Sequence, residues 1–239
     1  MSGALPQTAM FLAAGLGTRM KPLTELTPKP LIKVGGKALI DWPMDQLAAA
    51  GVPRAVVNAH HHAPQMIAHM KGRQNPVVTI SDETAQLLDT GGGLVKALPL
   101  LGNAPFFVFG CDTVTLDGPT PALERLARKW NSDELDVLML VHPMETAHGF
   151  DSAGDFFVDT EGHLTRRGIA TRAPYAYTGI QIIHPRILAG ENAVPFSMNK
   201  LWDKAIAARR MKGVVHDGVW FHVGTPDAVE KTDALLRAR

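Results

Sequence analysis

Through the first two-thirds of the chain, short apolar runs alternate with stretches whose apolar positions recur at helical spacing. Thr8 to Ala13 reads as a strand, and Lys37 to Ala50 as an amphipathic helix closed by Gly51. Arg54 to Ala59 gives a second strand and Pro64 to Lys71 a second helix. A strand over Pro76 to Ser81 and a helix from about Gly92 to Leu98 follow. The run Pro105 to Phe109 predicts a strand buried on both faces, Pro119 to Trp130 is helical, and Asp136 to Val141 is again a strand. Beyond His142 the rhythm changes. Asp155 to Asp159 and His163 to Arg167 flank the polar pair Glu161-Gly162 and predict a hairpin. Thr178 to His184 and Trp220 to Val223 read as strands and Met198 to Arg210 as a helix, while Thr225 followed by Pro226 opens a last helix. The fold expected is α/β, with a mostly parallel, Rossmann-like sheet, helices on both faces and a small antiparallel hairpin in the C-terminal third.

Composition narrows the class without changing that picture. With 239 residues, 46% hydrophobic and 20% charged, the chain is long enough to bury a core without a disulfide or metal staple. Its net charge of +1, with both signs mixed along the chain, gives no reason for a nucleic-acid or membrane partner. The single cysteine, Cys111, excludes an internal disulfide and a cysteine-rich zinc site. Ala9 to Leu16 is apolar, but it lacks a basic leader and is followed at once by Arg19 and Lys21, so it reads as a buried strand entering a loop. No apolar run approaches the roughly 20 residues that span a bilayer. A cytoplasmic protein is expected.

The chemistry concentrates where the first strand ends, at Leu12-Ala13-Ala14-Gly15-Leu16-Gly17-Thr18-Arg19, followed by Thr27-Pro28-Lys29-Pro30-Leu31. Gly15 and Gly17 allow a tight loop whose amides can face one anion. Arg19 offers a planar fork to phosphate oxygens, and Lys29 a compact charge stiffened by prolines on both sides. A dinucleotide fingerprint fits poorly, since position 20 is Met and positions 58 and 60 are Asn and His. The Gly-Lys-Ser/Thr ending of a kinase-type phosphate loop is missing. A lone Gly-x-Gly is a plain turn; Arg19 and Lys29 together make it a phosphate site.

These two segments resemble the signature of sugar-1-phosphate nucleotidylyltransferases. Further along, Gly110-Cys111-Asp112 resembles the family's Gly-Asp metal position with a cysteine inserted, Thr178-Gly179-Ile180 its sugar-contacting segment, and Val223-Gly224-Thr225-Pro226 its final metal segment. Asn58-Ala59-His60, Leu88 to Gly93 and Gly154-Asp155-Phe156 resemble the branch that uses N-acetylmuramate 1-phosphate. The resemblance implies one nucleotidyltransferase domain over residues 1–239, with a nucleotide half to about 115 and a sugar half beyond. It implies a nucleoside triphosphate, with UTP favoured, and a sugar 1-phosphate as substrates, and Mg2+ as cofactor.

Carried over residue by residue, it gives Arg19 and Lys29 as catalytic. Leu12, Ala13, Ala14, Gly15, Gly17, Thr18, Glu83, Thr90, Gly91 and Gly92 join them at the nucleotide; Asn58, Asp155, Thr178 and Gly179 fall at the sugar, and Asp112 and His222 at the metal. The family has aspartate where this chain has His222. Three outcomes stay open: an imidazole ligand that shifts preference toward Mn2+, a phosphate contact, or a site weakened to nucleotide-sugar binding alone. Another pyrophosphorylase, such as one pairing GTP with mannose 1-phosphate, is also open. The run His60-His61-His62 lacks metal-ligand spacing and reads as a polar strand end. Cys111 has no base partner and reads as a buried small residue. Trp42, Trp130, Trp202 and Trp220 read as packing, and Asp133, Glu134 and Asp136 as a solvated loop.

Overall fold

The computed structural model describes residues 4–238. In chain order its elements are β1 (Thr8–Leu12), β2 (Lys33–Val34), β3 (Lys37–Ala38), α1 (Asp41–Ala49), β4 (Arg54–Ala59), α2 (Ala63–Met70), β5 (Val77–Asp82) and α3 (Asp89–Leu101). Then come β6 (Phe106–Gly110), β7 (Thr113–Leu116), α4 (Ala122–Lys129), β8 (Val137–Pro143), β9 (Phe156–Val158), β10 (Leu164–Arg166) and β11 (Tyr175–Ile183). The last are α5 (Asn199–Ala207), β12 (Met211–Val215), β13 (Val219–His222) and α6 (Pro226–Arg237).

A nine-stranded sheet organises the chain. Its first part, in the order β5-β4-β1-β6, is parallel. β11 joins β6 antiparallel and pairs antiparallel with β8 and β9, and β12 lies parallel to β8. The expected hairpin is β9–β10, with Leu164 opposite Val158.

Alternation along each strand explains the two layers of helices. Ala9 and Phe11 of β1 enter one core with Met44, Leu47, Met66 and Leu126 from α1, α2 and α4. Met10 enters the other with Leu94 and Ala97 of α3 and Leu201 and Ala205 of α5. β6 divides the same way, Phe107 and Phe109 against Phe106 and Val108, and Phe11 stacks on Phe109 at 4.8 Å between ring centroids. A third, smaller core joins Met20, Val34, Leu39, Val114, Phe221 and Val223.

Several boundaries differ from the sequence pattern. Lys37 and Ala38 form β3 instead of starting α1. Gly35 and Gly36, at φ +61° and +82°, make a two-residue turn that folds β3 back on β2. α3 starts at Asp89 and β11 at Tyr175, each three residues early. β7 and β12 have no counterpart in the pattern. Thr alternates with Val and Leu in β7, β12 carries Lys212 and Gly213, and both owe their form to the partners β13 and β8. Thr225 caps α6 as expected, its Oγ1 accepting from the Ala228 amide at 3.3 Å. Among the described residues, no helix is long and apolar enough to cross a membrane.

β1 and β6 are neighbours, yet the chain leaves β1 for β4 on one side and comes back to β6 on the other. Leu12 and Gly110 end these strands in register, and the crevice beyond them is where an open parallel sheet receives ligands.

Candidate active site

A cleft of about 550 Å³ opens at that crevice, a size suited to a small molecule. Leu12, Ala13, Gly15, Gly17, Thr18 and Arg19 of the loop after β1 line it with Lys29 and Asp112, and so do Phe150, Asp155, Tyr177, Gly179, Asn199, Trp202 and His222.

The loop after β1 turns at Gly17, whose φ of +62° favours glycine. A Cβ there would stand 2.9 Å from Thr24 Cγ2 and 3.1 Å from Lys29 Cβ, so the residue also lets two segments close on each other. Nothing stands within 4 Å of where a Gly15 Cβ would be, which leaves open room for a ligand against the backbone. Lys29 sits in a short 3₁₀ turn after Pro28, its side chain only 14% exposed, with Nζ donating to Asp112 Oδ2 at 3.1 Å.

Asp112 follows β6, and His222 ends β13. Pairing of β7 with β13, which sets His222 opposite Thr113, brings the two together across 110 positions of sequence (222 less 112). His222 Nε2 lies 3.8 Å from Asp112 Oδ2. Its Nδ1 donates to the Gly149 carbonyl at 3.1 Å, which orients the ring so that Nε2 faces the carboxylate. Burial works against ionising Asp112, but the Lys29 ammonium, His222 and Arg19 outweigh it and hold the carboxyl below its ordinary range. Burial pushes the neighbouring Cys111 thiol far up and Asp112 adds to that, so the thiol stays protonated and inert.

On the other wall, Asp155 Oδ2 accepts from the Tyr177 amide at 2.9 Å, while burial holds its carboxyl above the ordinary range. Gly179 sits at φ +92° within a bulge of β11 that lets the backbone face the cleft. Trp202, read from sequence as packing, lines the cleft in edge contact with Tyr177 at 5.1 Å. Phe150, Tyr177 and Asn199 carry no sequence signal of their own; the bulge brings Tyr177 here, the start of α5 Asn199, and contact with Trp220 and His222 of β13 Phe150.

Other residues expected to touch nucleotide or sugar stand one layer behind. Asn58, 2% exposed, accepts from the Ala13 and Ala14 amides at 2.6 and 3.2 Å and donates to Glu83 Oε1 at 2.7 Å. Glu83, fully buried, accepts from the Leu88 amide through its other oxygen. Ala14 is buried with them. Thr178 is buried too, its hydroxyl donating to the Leu140 carbonyl at 2.9 Å. Thr90 reaches the wall, whereas Gly91 and Gly92 are packing positions at which a Cβ would strike the Phe196 ring and the Val194 carbonyl. The glycines expected to admit a flat base admit the 194–196 segment instead.

A model of the MobA-like NTP transferase domain matches residues 9–211. The chain is 41% identical over 235 residues to the N-acetylmuramate alpha-1-phosphate uridylyltransferase of Caulobacter vibrioides, covering 97% of each. It is 32% identical over 238 residues to the protein of that name from Neisseria meningitidis serogroup B, covering 96% of this chain and 98% of that one. The solved inositol-1-phosphate CTP transferase from T. maritima superposes with a TM-score of 0.77 over 98% of this chain and 96% of its own; at 18% identity it shows the fold alone. With a domain match over most of its length and full-length relatives above 30% identity, the chain belongs to the MobA-like NTP transferase family and, within it, to the sugar-1-phosphate nucleotidylyltransferases.

Proposed function

We propose that the chain transfers the uridylyl group of UTP to N-acetylmuramate 1-phosphate and releases pyrophosphate. The observation that carries this reading is the meeting of Lys29, Asp112 and His222 beside the Gly15–Arg19 loop, at the sheet's switch point. Identity along nearly the whole length to proteins named for that reaction supports the choice of nucleotide and sugar.

In this reading a sugar phosphate oxygen attacks the α-phosphorus of UTP. The bond from that phosphorus to the β-phosphate oxygen breaks, and its electron pair leaves with pyrophosphate. The attacker is already an anion, so no general base is needed; the work is alignment and charge neutralisation. Arg19, exposed at the mouth, holds the departing pyrophosphate. Lys29, oriented by Asp112, holds the α-phosphate and the incoming phosphate. Backbone at Gly15 and Gly17 lets the phosphates approach. Asp155, Gly179 and Asn199 hold the sugar, with Trp202 and Tyr177 as apolar wall.

The donor set fits a divalent cation. Asp112 offers a carboxylate and His222 a ring nitrogen that its bond to Gly149 orients. Asp112 and His222 would hold such an ion, Mg2+ or Mn2+. When bound, the cation neutralises phosphate oxygens. The nitrogen ligand favours Mn2+. This reading carries residues to about 115 as the nucleotide half, the remainder as the sugar half, and the cytoplasm as compartment.

The test is pyrophosphate release across UTP, GTP, CTP and dTTP against a panel of sugar 1-phosphates, with Mg2+ and with Mn2+. UTP with N-acetylmuramate 1-phosphate should give the highest kcat/KM. Faster turnover of GTP with mannose 1-phosphate would displace the substrate assignment, and tight UTP binding without product would displace catalysis.

A further inference from the structure

The segment that joins the two active-site cations, residues 20 to 28, has little apolar anchoring. Between Met20 and Thr27 only Thr24 is buried, and Leu26 is 81% exposed. Apart from its own turns and buried Met20 and Pro28 at its ends, what holds it comes from the start of α2. His61 Nε2 donates to the Thr24 carbonyl at 3.1 Å, His62 Nε2 to the Glu25 carbonyl at 3.1 Å, and Gln65 Nε2 to the Leu26 carbonyl at 2.8 Å. Three successive carbonyls are thus met by three side chains of one short segment. Each partner is a carbonyl, which accepts only, so each ring nitrogen carries the proton.

The same segment reaches the other side of the nucleotide loop. His60 Nδ1 donates to the Glu83 carbonyl at 2.7 Å, and the Glu83 carboxylate holds Asn58, which holds the Ala13 and Ala14 amides. Thr24 completes the circuit: its hydroxyl donates to the Gly17 carbonyl at 2.9 Å, one residue before the turn that carries Arg19. Lys29 Cβ closes on Gly17 at the same face as Thr24, 3.1 Å from where a Cβ would stand.

We infer that His61, His62 and Gln65 are positioning residues, which pre-order residues 20 to 28 and so hold Arg19 and Lys29 in register for the triphosphate before it binds. This inference rests on the proposed nucleotide site. Without the clamp the segment must be ordered at the expense of UTP binding, so the loss falls on the nucleotide step and spares the chemistry.

His61→Ala/Gln65→Ala tests this; His62 stays, because its φ of +50° complicates any replacement. Relative to wild type, glutamyl endopeptidase should cut after the exposed Glu25 about tenfold faster, and the KM for UTP should rise about tenfold. Both kcat and the KM for the sugar phosphate should change less than about twofold. His61→Gln/Gln65→Ala, which restores one donor, should recover much of the loss. Should the double variant fail to fold by circular dichroism, Gln65→Ala alone serves, since Gln65 is exposed on α2. Unchanged cutting after Glu25, an unchanged KM for UTP, or a glutamine variant no better than alanine each overturns the inference. UTP with Mg2+ should protect the wild-type bond; cutting that responds to the mutation but not to UTP would instead fault the nucleotide site.

Discussion

Asn58→Ala and Asn58→Leu separate a polar frame from ordinary packing. Asn58 is buried among Ala13, Ala14, Glu83 and Gly93, and its side chain satisfies two amides and one carboxylate oxygen. Each buried partner left unmet costs about 1–3 kcal/mol. Alanine vacates enough room for a water to meet part of that demand, so its cost should be about 2–3 kcal/mol. Leucine has the same branching but is larger, so it crowds the site, excludes water and pairs with nothing, and its cost should reach about 4 kcal/mol or more. At roughly 2–4 °C per kcal/mol for a chain of this length, alanine should lower Tm by about 4–12 °C and leucine further. Urea unfolding followed by circular dichroism gives the free energies directly. The two variants should also lose affinity for UTP, because Ala13, whose amide Asn58 holds, borders the cleft. A leucine variant as stable as the alanine variant, or an alanine cost below about 1 kcal/mol, would refute the polar frame.

Lys29→Ala should lower kcat by roughly 10²-fold or more while the protein keeps its fold, checked by steady-state pyrophosphate release beside circular dichroism. Gly91→Ala drives a methyl into the Phe196 ring and should destabilise by about 1–3 kcal/mol in thermal unfolding, although the residue sits behind the cleft. His222→Asp should raise activity with Mg2+ relative to Mn2+ in a metal series, since it exchanges nitrogen for oxygen. His142 gives a pH test. Burial lowers its pKa from 6.5 to about 4, against the raising effect of the Thr146 backbone. The unfolded chain therefore binds the extra proton first, and stability present above pH 6.5 is lost as pH falls toward 4. Wild type should lose roughly 2–3 kcal/mol more than His142→Gln between pH 7.5 and 4.5 in urea unfolding. Equal losses would exclude that linkage.

The glycine loop and its cations were legible because their chemistry is local: a strand end, two glycines and two basic residues within one stretch. The alternating pattern likewise carried most of the sheet, since strands such as β6 announce burial through four successive apolar residues. Less local features escaped. Asn58 and Glu83 are polar residues beside the nucleotide loop, and polarity alone does not tell a ligand contact from a buried brace; only their mutual bond does. Gly91 and Gly92 look like a turn, yet their small size serves the packing of Phe196 and Val194, more than 100 residues away. Trp202 and Tyr177 meet in the cleft through the bulge in β11, which no periodicity signals. His222 and Asp112 become neighbours through β7–β13, a pair whose first strand is too short and too polar to stand out.

The claim that this cleft performs uridylyl transfer is tested most directly by following the α-phosphate. Wild-type protein is incubated with UTP labelled at the α-phosphorus, N-acetylmuramate 1-phosphate and Mg2+ or Mn2+, and the products are separated. The label should appear in a UDP-linked sugar, with unlabelled pyrophosphate formed in equal amount, and Lys29→Ala should suppress both. Label in free UMP, or UTP bound tightly with no product under either metal, would contradict it.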